Sequence, residues 1–272
     1  MKEKAAYISH ICIENLWNRL RIDWELRPDV NILSGINGVG KTTILNRTIA
    51  CLQQLAQEHE PSEDIVLTFS PSEAKTVNFD VIRSYDRPLI MGEFTAQMAD
   101  KHVRSELDWQ LYLLQRRYLD YQVNLGNRMI ELLASGNEDD RNKAALLSMP
   151  KRRFQDLADS LFGYTGKTID RKRNDIAFTQ NGELLFPHNL SSGEKQLLLI
   201  LLTVLVQDRQ PYVLIMDEPE ASLHIEWQQK LIGIIRELNP RVQIILSTHS
   251  PALIMEGWLD AVTEVSDITT QR

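Results

Sequence analysis

One segment near the start of the chain has the residue types and spacing of a phosphate-binding loop. Residues 35–42 read GINGVGKT and satisfy GxxxxGK[ST], and they lie between the apolar run at 30–33 and a helix-like stretch. Glycines let backbone N–H groups face phosphate oxygens, and the helix N-terminus adds positive potential. We expect Lys41 to reach β- and γ-phosphates and Thr42 to coordinate Mg²⁺. The alternative is a glycine-rich turn that only joins a strand to a helix. The candidate nucleotide-binding residues of this loop are Asn37, Gly38, Val39, Gly40, Lys41, Thr42 and Thr43.

A pair of acids follows a second apolar run. Residues 212–216 read YVLIM, and Asp217 and Glu218 come directly after them. Ligands of parallel sheets bind at the carboxyl ends of the strands, so both acids are placed for chemistry. Asp217 suits Mg²⁺ binding, and Glu218 suits polarising a water that attacks a γ-phosphate. Standing alone, the pair would equally fit a solvated acidic turn.

Two further segments carry polar groups after or before apolar runs. Residues 190–196 read LSSGEKQ and precede a long apolar stretch, and residues 247–250 read STHS after the run VQIIL. Taken singly, the first is a capped helix start and the second holds a structural histidine.

The order of these segments resembles that of an ABC-type ATPase: GINGVGKT, LSSGEKQ, VLIMDEPE, ASLH and STHS follow one another along the chain. The opening ICIENLWN, the Asn of GINGVGKTT, the DEPExSLH string and the THS ending further resemble one branch of these ATPases. That branch contains structural-maintenance-of-chromosomes heads, RecF, OLD-family ATPases and small ATPases of phage-defence systems. Residues between 60 and 185 contribute little to the resemblance.

The resemblance implies a homodimer in which two heads enclose two ATP molecules. Ser191 and Gly193 of one head would contact the γ-phosphate held by the other, and His249 would sense that phosphate. The implied catalytic residues are Glu218, His249 and Lys41; the implied cofactors are ATP and Mg²⁺, with Thr42 and Asp217 as metal ligands. Ser192 replaces the first glycine of the signature LSGGQ and Glu194 replaces its glutamine. Both replacements are familiar in this branch, so ATPase activity is still expected. Several positions stay open, namely Asp86 or Gln97 for the Q-loop, Tyr7, Trp17 or Trp24 for adenine stacking, and Arg19 or Arg21 for a nucleotide contact.

Bulk composition predicts a cytoplasmic globular protein. The 272 residues are 43% hydrophobic and 25% charged, with a net charge of −7 and a pI near 5.5, which argues against nucleic-acid binding over the whole surface. Cys12 and Cys51 form no disulfide framework or CxxC spacing and are expected in the core. The longest apolar run, residues 197–206, is about half a membrane span, so no membrane insertion is expected.

The periodicity predicts an α/β fold of the P-loop NTPase, ABC-type head class. We expect a mostly parallel central sheet, an antiparallel β subdomain starting with a hairpin near residues 11–26, and a helix from residue 41 to about residue 57. A 4-3-4-3-4 spacing of apolar residues from Leu107 to Leu125 predicts a helix with one seam, either a protruding hairpin or a packed subdomain. The polar residues 135–142 are predicted as a turn, and Asn181-Gly182 as a hairpin turn.

These elements are assigned to a single domain over residues 1–272, with a helical insertion at about 94–162. The leading functional hypothesis is a switch that closes on ATP and regulates an effector, such as a nuclease, in DNA maintenance or phage defence. The alternative is the nucleotide-binding subunit of an ABC transporter. Basic runs at 151–153 and 171–173 offer a nucleic-acid contact or, more commonly, solvated faces.

Overall fold

The computed structural model describes residues 4–83 and 103–271, which group into two compact units. The first unit comprises residues 4–83, 209–236 and 240–271, and the second comprises residues 103–208 and 237–239. Asp86, Gln97 and the first part of the predicted insertion lie outside the described residues. The assignment of one domain with an insertion stays a prediction.

Twelve strands and seven helices are formed by the part of the chain that the structure describes. The strands are β1 (Tyr7–Leu16), β2 (Leu20–Glu25), β3 (Val30–Ser34), β4 (Ile65–Ser70), β5 (Phe79–Arg83), β6 (Lys167–Ile169), β7 (Phe178–Gln180), β8 (Glu183–Leu185), β9 (Tyr212–Asp217), β10 (Val242–Ser247), β11 (Val262–Glu264) and β12 (Thr269–Gln271). The helices are α1 (Lys41–Ala56), α2 (Glu106–Ala134), α3 (Glu138–Leu147), α4 (Met149–Phe162), α5 (Ser192–Val206), α6 (Ile225–Leu238) and α7 (Pro251–Met255). Short 3-10 turns cover Gly163–Thr165, Pro187–Asn189 and Leu259–Ala261.

The first unit contains the predicted parallel sheet, with strand order β11-β3-β10-β9-β5 and every pair parallel. All six residues of β10 are buried, as are the four central residues of β9. Their apolar runs show no alternation because parallel strands are covered on both faces. The α/β fold predicted from the sequence is confirmed.

An antiparallel sheet of order β12-β2-β1-β4 forms the second layer of this unit. Strands β1 and β2 make the predicted hairpin, in which Ile11 faces Trp24 and Ile13 faces Ile22. Along β2, Ile22 and Trp24 are buried while their neighbours are exposed, which gives the period of two expected for a sheet with one face in the core.

Two buried amide side chains join the strands of these sheets. Gln243 accepts a hydrogen bond from Ile8 N at 2.9 Å and donates to the carbonyls of Ile8 and Arg27 at 2.8 and 2.7 Å. Asn31 accepts from Arg27 N at 2.8 Å and donates back to Arg27 O at 2.9 Å. These side chains satisfy backbone groups that would otherwise be buried without partners.

The second unit is mainly helical and carries a three-stranded antiparallel sheet, β6-β7-β8. Helix α2 buries the predicted seam, whose described members are Leu107, Leu111, Leu114, Tyr118, Tyr121 and Leu125. It packs against α5 and α3, which favours a packed subdomain over a protruding arm for the first five turns of the helix. Asn181 and Gly182 have φ of 52° and 83° and form the predicted hairpin turn between β7 and β8.

One predicted turn is shorter than expected. The polarity of residues 135–142 predicts a turn, but only residues 135–137 connect two helices, and α3 starts at Glu138. The Asn137 side chain caps this helix by accepting from Asp139 N at 3.1 Å. Acidic residues in the first turn stabilise a helix because they lie near the positive end of its dipole. A polar stretch can therefore begin a helix as well as form a turn.

Both cysteines are buried and free, as predicted. Burial raises the pKa of the Cys51 thiol to about 11, so the thiol is protonated and unreactive at neutral pH. Within residues 4–83 and 103–271, no helix is long and apolar enough to span a bilayer.

Replacing Gln243 tests the amide link in the first unit. Gln243→Leu keeps the side-chain size but leaves the Ile8 N–H and carbonyl without the partners that Gln243 supplies, so we expect a loss of about 2 to 4 kcal/mol in unfolding free energy. Urea denaturation measures this loss as a lower midpoint at unchanged slope. The control is Gln53→Leu on exposed α1 surface. Equal midpoints for the two variants would contradict the role of the link.

Candidate functional site

The parallel sheet brings three functional segments to one edge. In the register of β3, β10 and β9, Ser247 lies beside both Leu33 and Asp217. The glycine-rich loop follows β3, the acid pair ends β9, and the Ser-Thr-His-Ser segment ends β10. Segments about 180 residues apart in sequence therefore meet because their strands run parallel and end together.

The loop after β3 leaves the start of α1 open. Gly40 is the N-cap residue, with φ of 113°, and no side chain caps the helix. The first turn of α1 holds no acidic residue that would repel an anion. Its N–H groups have no intrahelical acceptors, so this end of the helix suits a phosphate.

Gly40 has a steric reason to lack a side chain as well as a conformational one. A Cβ there would lie 2.9 Å from Cη2 of Trp17, whose ring sits against the loop. Gly35, with φ of 146°, would place a Cβ 2.9 Å from Val39 Cγ1. Close packing around the loop therefore adds to the glycine requirement predicted from the motif.

Lys41 is folded into the loop. Its Nζ donates to the carbonyls of Gly35 at 2.9 Å and Ile36 at 3.2 Å, and the residue is only 5% exposed. Burial lowers the pKa of Lys41, while the carboxylates of Glu218, Asp217 and Glu220 act in the opposite direction. The ammonium group is thus held at the loop among acids, ready to exchange weak carbonyl acceptors for phosphate oxygens.

Thr42 and Asp217 converge. Thr42 Oγ1 donates to Asp217 Oδ1 at 3.2 Å, and the Ser247 hydroxyl makes a short hydrogen bond to the same oxygen. A hydroxyl and a carboxylate at this spacing match the ligands that Mg²⁺ takes beside a phosphate. No cluster of three or more His, Cys, Asp or Glu side chains forms a metal site in the described ranges. The oxygens of Thr42 and Asp217 supply two ligands, so this donor set fits a cation whose other ligands are phosphate and water oxygens.

Glu218 and His249 also lie together. His249 Nε2 is 3.3 Å from Glu218 Oε1, and both side chains remain about one-third exposed. Glu218 has φ of 47°, in the left-handed region that non-glycine residues rarely adopt. Its backbone N–H is held by the Ser247 carbonyl at 3.1 Å and hydroxyl at 3.2 Å. The surrounding bonds thus fix a strained residue beside the loop.

Glu220 is a member of this site that the motif analysis missed. It is 8% exposed, and its Oε1 accepts a short hydrogen bond from the Thr248 hydroxyl and one from His249 N at 3.1 Å. Glu220 therefore ties the segment carrying His249 to the acid pair. The sequence did contain a signal, because Glu220 is the third acid of DEPE and lies two residues beyond the predicted base, but its partner Thr248 is 28 residues away.

The structure places the other nucleotide-contact candidates differently. Trp24 is 1% exposed and belongs to the core, whereas Trp17 is 42% exposed and lies against Gly40. Tyr7 is half-buried at the start of β1. Arg21 is engaged on the sheet surface by Glu14 and Asp23, each at 3.4 Å, and Arg19 is exposed in the hairpin turn. Trp17 is consequently the aromatic candidate that sits beside the loop with an exposed ring.

Ser191 and Gly193 belong to the second unit. Ser191 is the N-cap of α5, and Ser192 and Gly193 form its first turn. Ser191 is exposed and Gly193 is partly exposed, so these two residues at the start of α5 are accessible on the surface of this unit. We refer to them as the signature edge. The first unit thus brings together Lys41, Thr42, Asp217, Glu218 and His249. The two signature residues belong to the second unit.

The two basic runs have acidic neighbours in the second unit. Arg153 forms an ion pair with Glu237, Arg171 pairs with Asp156 and Asp159, and Arg173 pairs with Asp175. The Lys151 ammonium donates to Gln122 at 2.5 Å and lies over the ring of Tyr118. These partners reduce the positive potential that a phosphate backbone would meet.

Two curated relatives align with much of the chain. The chain is 27% identical over 285 aligned residues to Septu protein PtuA of Bacillus thuringiensis, covering 87% of this chain and 69% of that protein. It is 28% identical over 195 residues to Retron Vc95 probable ATPase of Vibrio cholerae serotype O1 biovar El Tor. That second match covers 66% of this chain and 37% of the relative, so the chain spans little more than a third of its length.

A solved structure and a family match complete the comparison. The fold is similar to the crystal structure of the SmcHead bound to the C-winged helix domain of ScpA, with a TM-score of 0.52, 14% identity and 92% coverage of both chains. This similarity confirms the P-loop head fold. Residues 116–256 match the family described as "AAA domain, putative AbiEii toxin, Type IV TA system", a span that includes the signature segment, the acid pair and His249. Since this match covers more than half of the chain, the protein belongs to that family of AAA domain P-loop ATPases.

Proposed function

We propose that this protein is an ATP-hydrolysing switch that closes as a homodimer around two ATP molecules and regulates an effector protein. The convergence of Lys41, Thr42, Asp217, Glu218 and His249 on one sheet edge, beside an uncapped helix, is the observation that supports this proposal most strongly.

The N–H groups of α1 and the Lys41 ammonium bind the β- and γ-phosphates in this scheme. Thr42 and Asp217 hold Mg²⁺, which neutralises phosphate charge when bound. Glu218 takes a proton from water as the water oxygen attacks the γ-phosphorus. The bond from that phosphorus to the β–γ bridging oxygen breaks, and ADP and phosphate leave. Asn37 and Thr43 complete the contacts around the phosphates, and Trp17 is placed to contact the base.

His249 couples the γ-phosphate to the general base. Its imidazole reaches the Glu218 carboxylate, and Glu220 anchors its backbone. An imidazole that contacts a γ-phosphate would change its bond to Glu218, so the presence of the phosphate is transmitted to the acid pair. Ser191 and Gly193 of the second copy complete the phosphate contacts with the N-terminus of α5.

The effector and the pathway are inferred from likeness. The sequence resembles small ATPases of phage-defence systems, and the relatives include a Septu protein and a retron ATPase. The similar SmcHead structure has a protein domain bound to it. We therefore propose a cytoplasmic ATPase that controls a protein partner, such as a nuclease, in phage defence or DNA maintenance.

Removing the Lys41 ammonium tests nucleotide binding. Lys41→Ala removes two or more charge-assisted hydrogen bonds to phosphate, so we expect Mg-ATP affinity to fall by about 100-fold or more. Titration calorimetry measures the loss, with Lys230→Ala on the exposed face of α6 as the control. Unchanged affinity in Lys41→Ala would contradict the assignment of this loop.

Neutralising Glu218 tests hydrolysis and closure together. Glu218→Gln removes the proton acceptor while keeping the side-chain shape, so we expect turnover to fall by about 100-fold or more. Light scattering after size exclusion should then show a dimer that forms with Mg-ATP and not with Mg-ADP. Glu226→Gln, an exposed change in the first turn of α6, is the control. Normal turnover by Glu218→Gln protein would remove the general base from the scheme.

A further inference from the structure

Two buried ion pairs involve consecutive residues near the N-terminus of α5, Glu194 and Lys195. Lys167 Nζ lies 2.9 Å from Glu194 Oε1, and Lys195 Nζ lies 2.8 Å from Asp108 Oδ1. The side chains of all four residues are at most 11% exposed. Charged groups are almost never buried this deeply unless they are paired. In the second unit, two such pairs therefore include residues from the first turn of α5.

Glu194 is bonded directly to Ser191. Its Oε2 accepts from the Ser191 backbone N–H and hydroxyl, both at 3.0 Å. Its Oε1 accepts from Thr165 Oγ1 at 3.0 Å and from Lys167 Nζ. The Ser191 oxygen in turn accepts from Glu194 N at 3.3 Å. The one hydroxyl proton of Ser191 therefore points to a carboxylate in this conformation.

In the proposed dimer, this arrangement places an anion beside the position of the second copy's γ-phosphate. A carboxylate within 3 Å of the Ser191 hydroxyl competes with a phosphate oxygen for the same proton and repels the phosphate charge. The start of α1 differs, because it has neither a capping side chain nor an acid in its first turn. The α5 edge therefore suits a triphosphate only if the charge of Glu194 is balanced.

Lys167 supplies that balance from β6. It donates to Glu194 and also to Thr165 Oγ1 at 3.0 Å, which fixes the ammonium group beneath the helix start. Burial raises the pKa of Glu194, but bonds from Lys167, Ser191 and Thr165 hold it below its usual value, so the carboxylate is ionised at neutral pH. The pair is neutral as a whole although each partner is charged.

We infer that Lys167 is a positioning residue for the signature edge: it neutralises Glu194 so that the γ-phosphate carried by a second copy of the chain can take over the Ser191 hydroxyl. This inference rests on the proposed ATP-dependent pairing. On this inference, the Lys167–Glu194 pair sets how tightly two copies associate on ATP. It does so without itself binding or cleaving the nucleotide.

If Lys167 neutralises Glu194, substitutions of these two residues should have opposite effects on closure. Lys167→Met leaves the Glu194 anion facing the incoming phosphate and should weaken closure. Glu194→Gln keeps an acceptor for Ser191, removes the anion and leaves the Lys167 cation, so it should strengthen closure. A purely structural ion pair predicts instead that both changes weaken closure, because each leaves a buried charge without its partner.

The test measures dimer dissociation constants by analytical ultracentrifugation with Mg-ATP at pH 8, in full-length protein carrying Glu218→Gln. We expect Lys167→Met to raise the constant about tenfold, and Glu194→Gln to lower it about threefold or more. The double variant should return close to the parent value. Lys143→Met, which breaks an exposed pair with Asp140 in the same unit, is the matched control.

Each outcome decides a different claim. Weakened closure in both single variants, or a Lys167→Met value equal to that of Lys143→Met, overturns the role of Lys167 while leaving pairing intact. Absence of ATP-dependent dimers in the Glu218→Gln parent overturns the pairing itself and, with it, this inference. Nucleotide affinity at low protein concentration and thermal melting are measured in parallel. If Lys167→Met does not fold, the comparison of Glu194→Gln and the double variant with the parent still tests the inference.

Discussion

The parallel alignment of β3, β9 and β10 is the constraint on which the first unit depends. It sets Leu33, Asp217 and Ser247 level with one another, so that the loop, the acid pair and the His249 segment start from the same edge. A shift of one residue in β9 would turn Asp217 to the opposite face of the sheet and separate it from Thr42. The buried apolar strands therefore determine the chemistry by fixing where each polar segment begins.

A chain of hydrogen bonds converts that alignment into a connected site. Ser247 holds both Asp217 and the backbone of the strained Glu218, while Glu220 holds Thr248 and the backbone of His249. Movement of the histidine segment is consequently coupled to the acids that face the loop. The start of α5 in the second unit differs from the start of α1. A side chain caps α5 and its acid is paired with a lysine, whereas no side chain caps α1.

Local sequence signals were enough for the parts of the fold that depend on neighbours in sequence. The glycine loop, the β1–β2 hairpin, the Asn181-Gly182 turn and the α2 seam were predicted because spacing alone determines them. The turn predicted at 135–142 was mostly wrong, since polar residues also suit the first turn of a capped helix. Glu220 and Lys167 were missed for another reason. Their partners lie 28 and 27 residues away, and only the folded chain shows that they meet.

In the proposed dimer, Ser191 of one copy completes the contacts to a triphosphate that the loop of the other copy holds. Mixing two inactive proteins tests it most directly: Glu218→Gln lacks the base, and Ser191→Arg blocks the signature edge. A mixed dimer has one intact site, formed by the loop and Glu218 of the Ser191→Arg copy with Ser191 of the Glu218→Gln copy. We expect ATPase activity, absent from either protein alone, to return on mixing. Full activity in Ser191→Arg alone, or no recovery from mixtures shown to form mixed dimers, would contradict it.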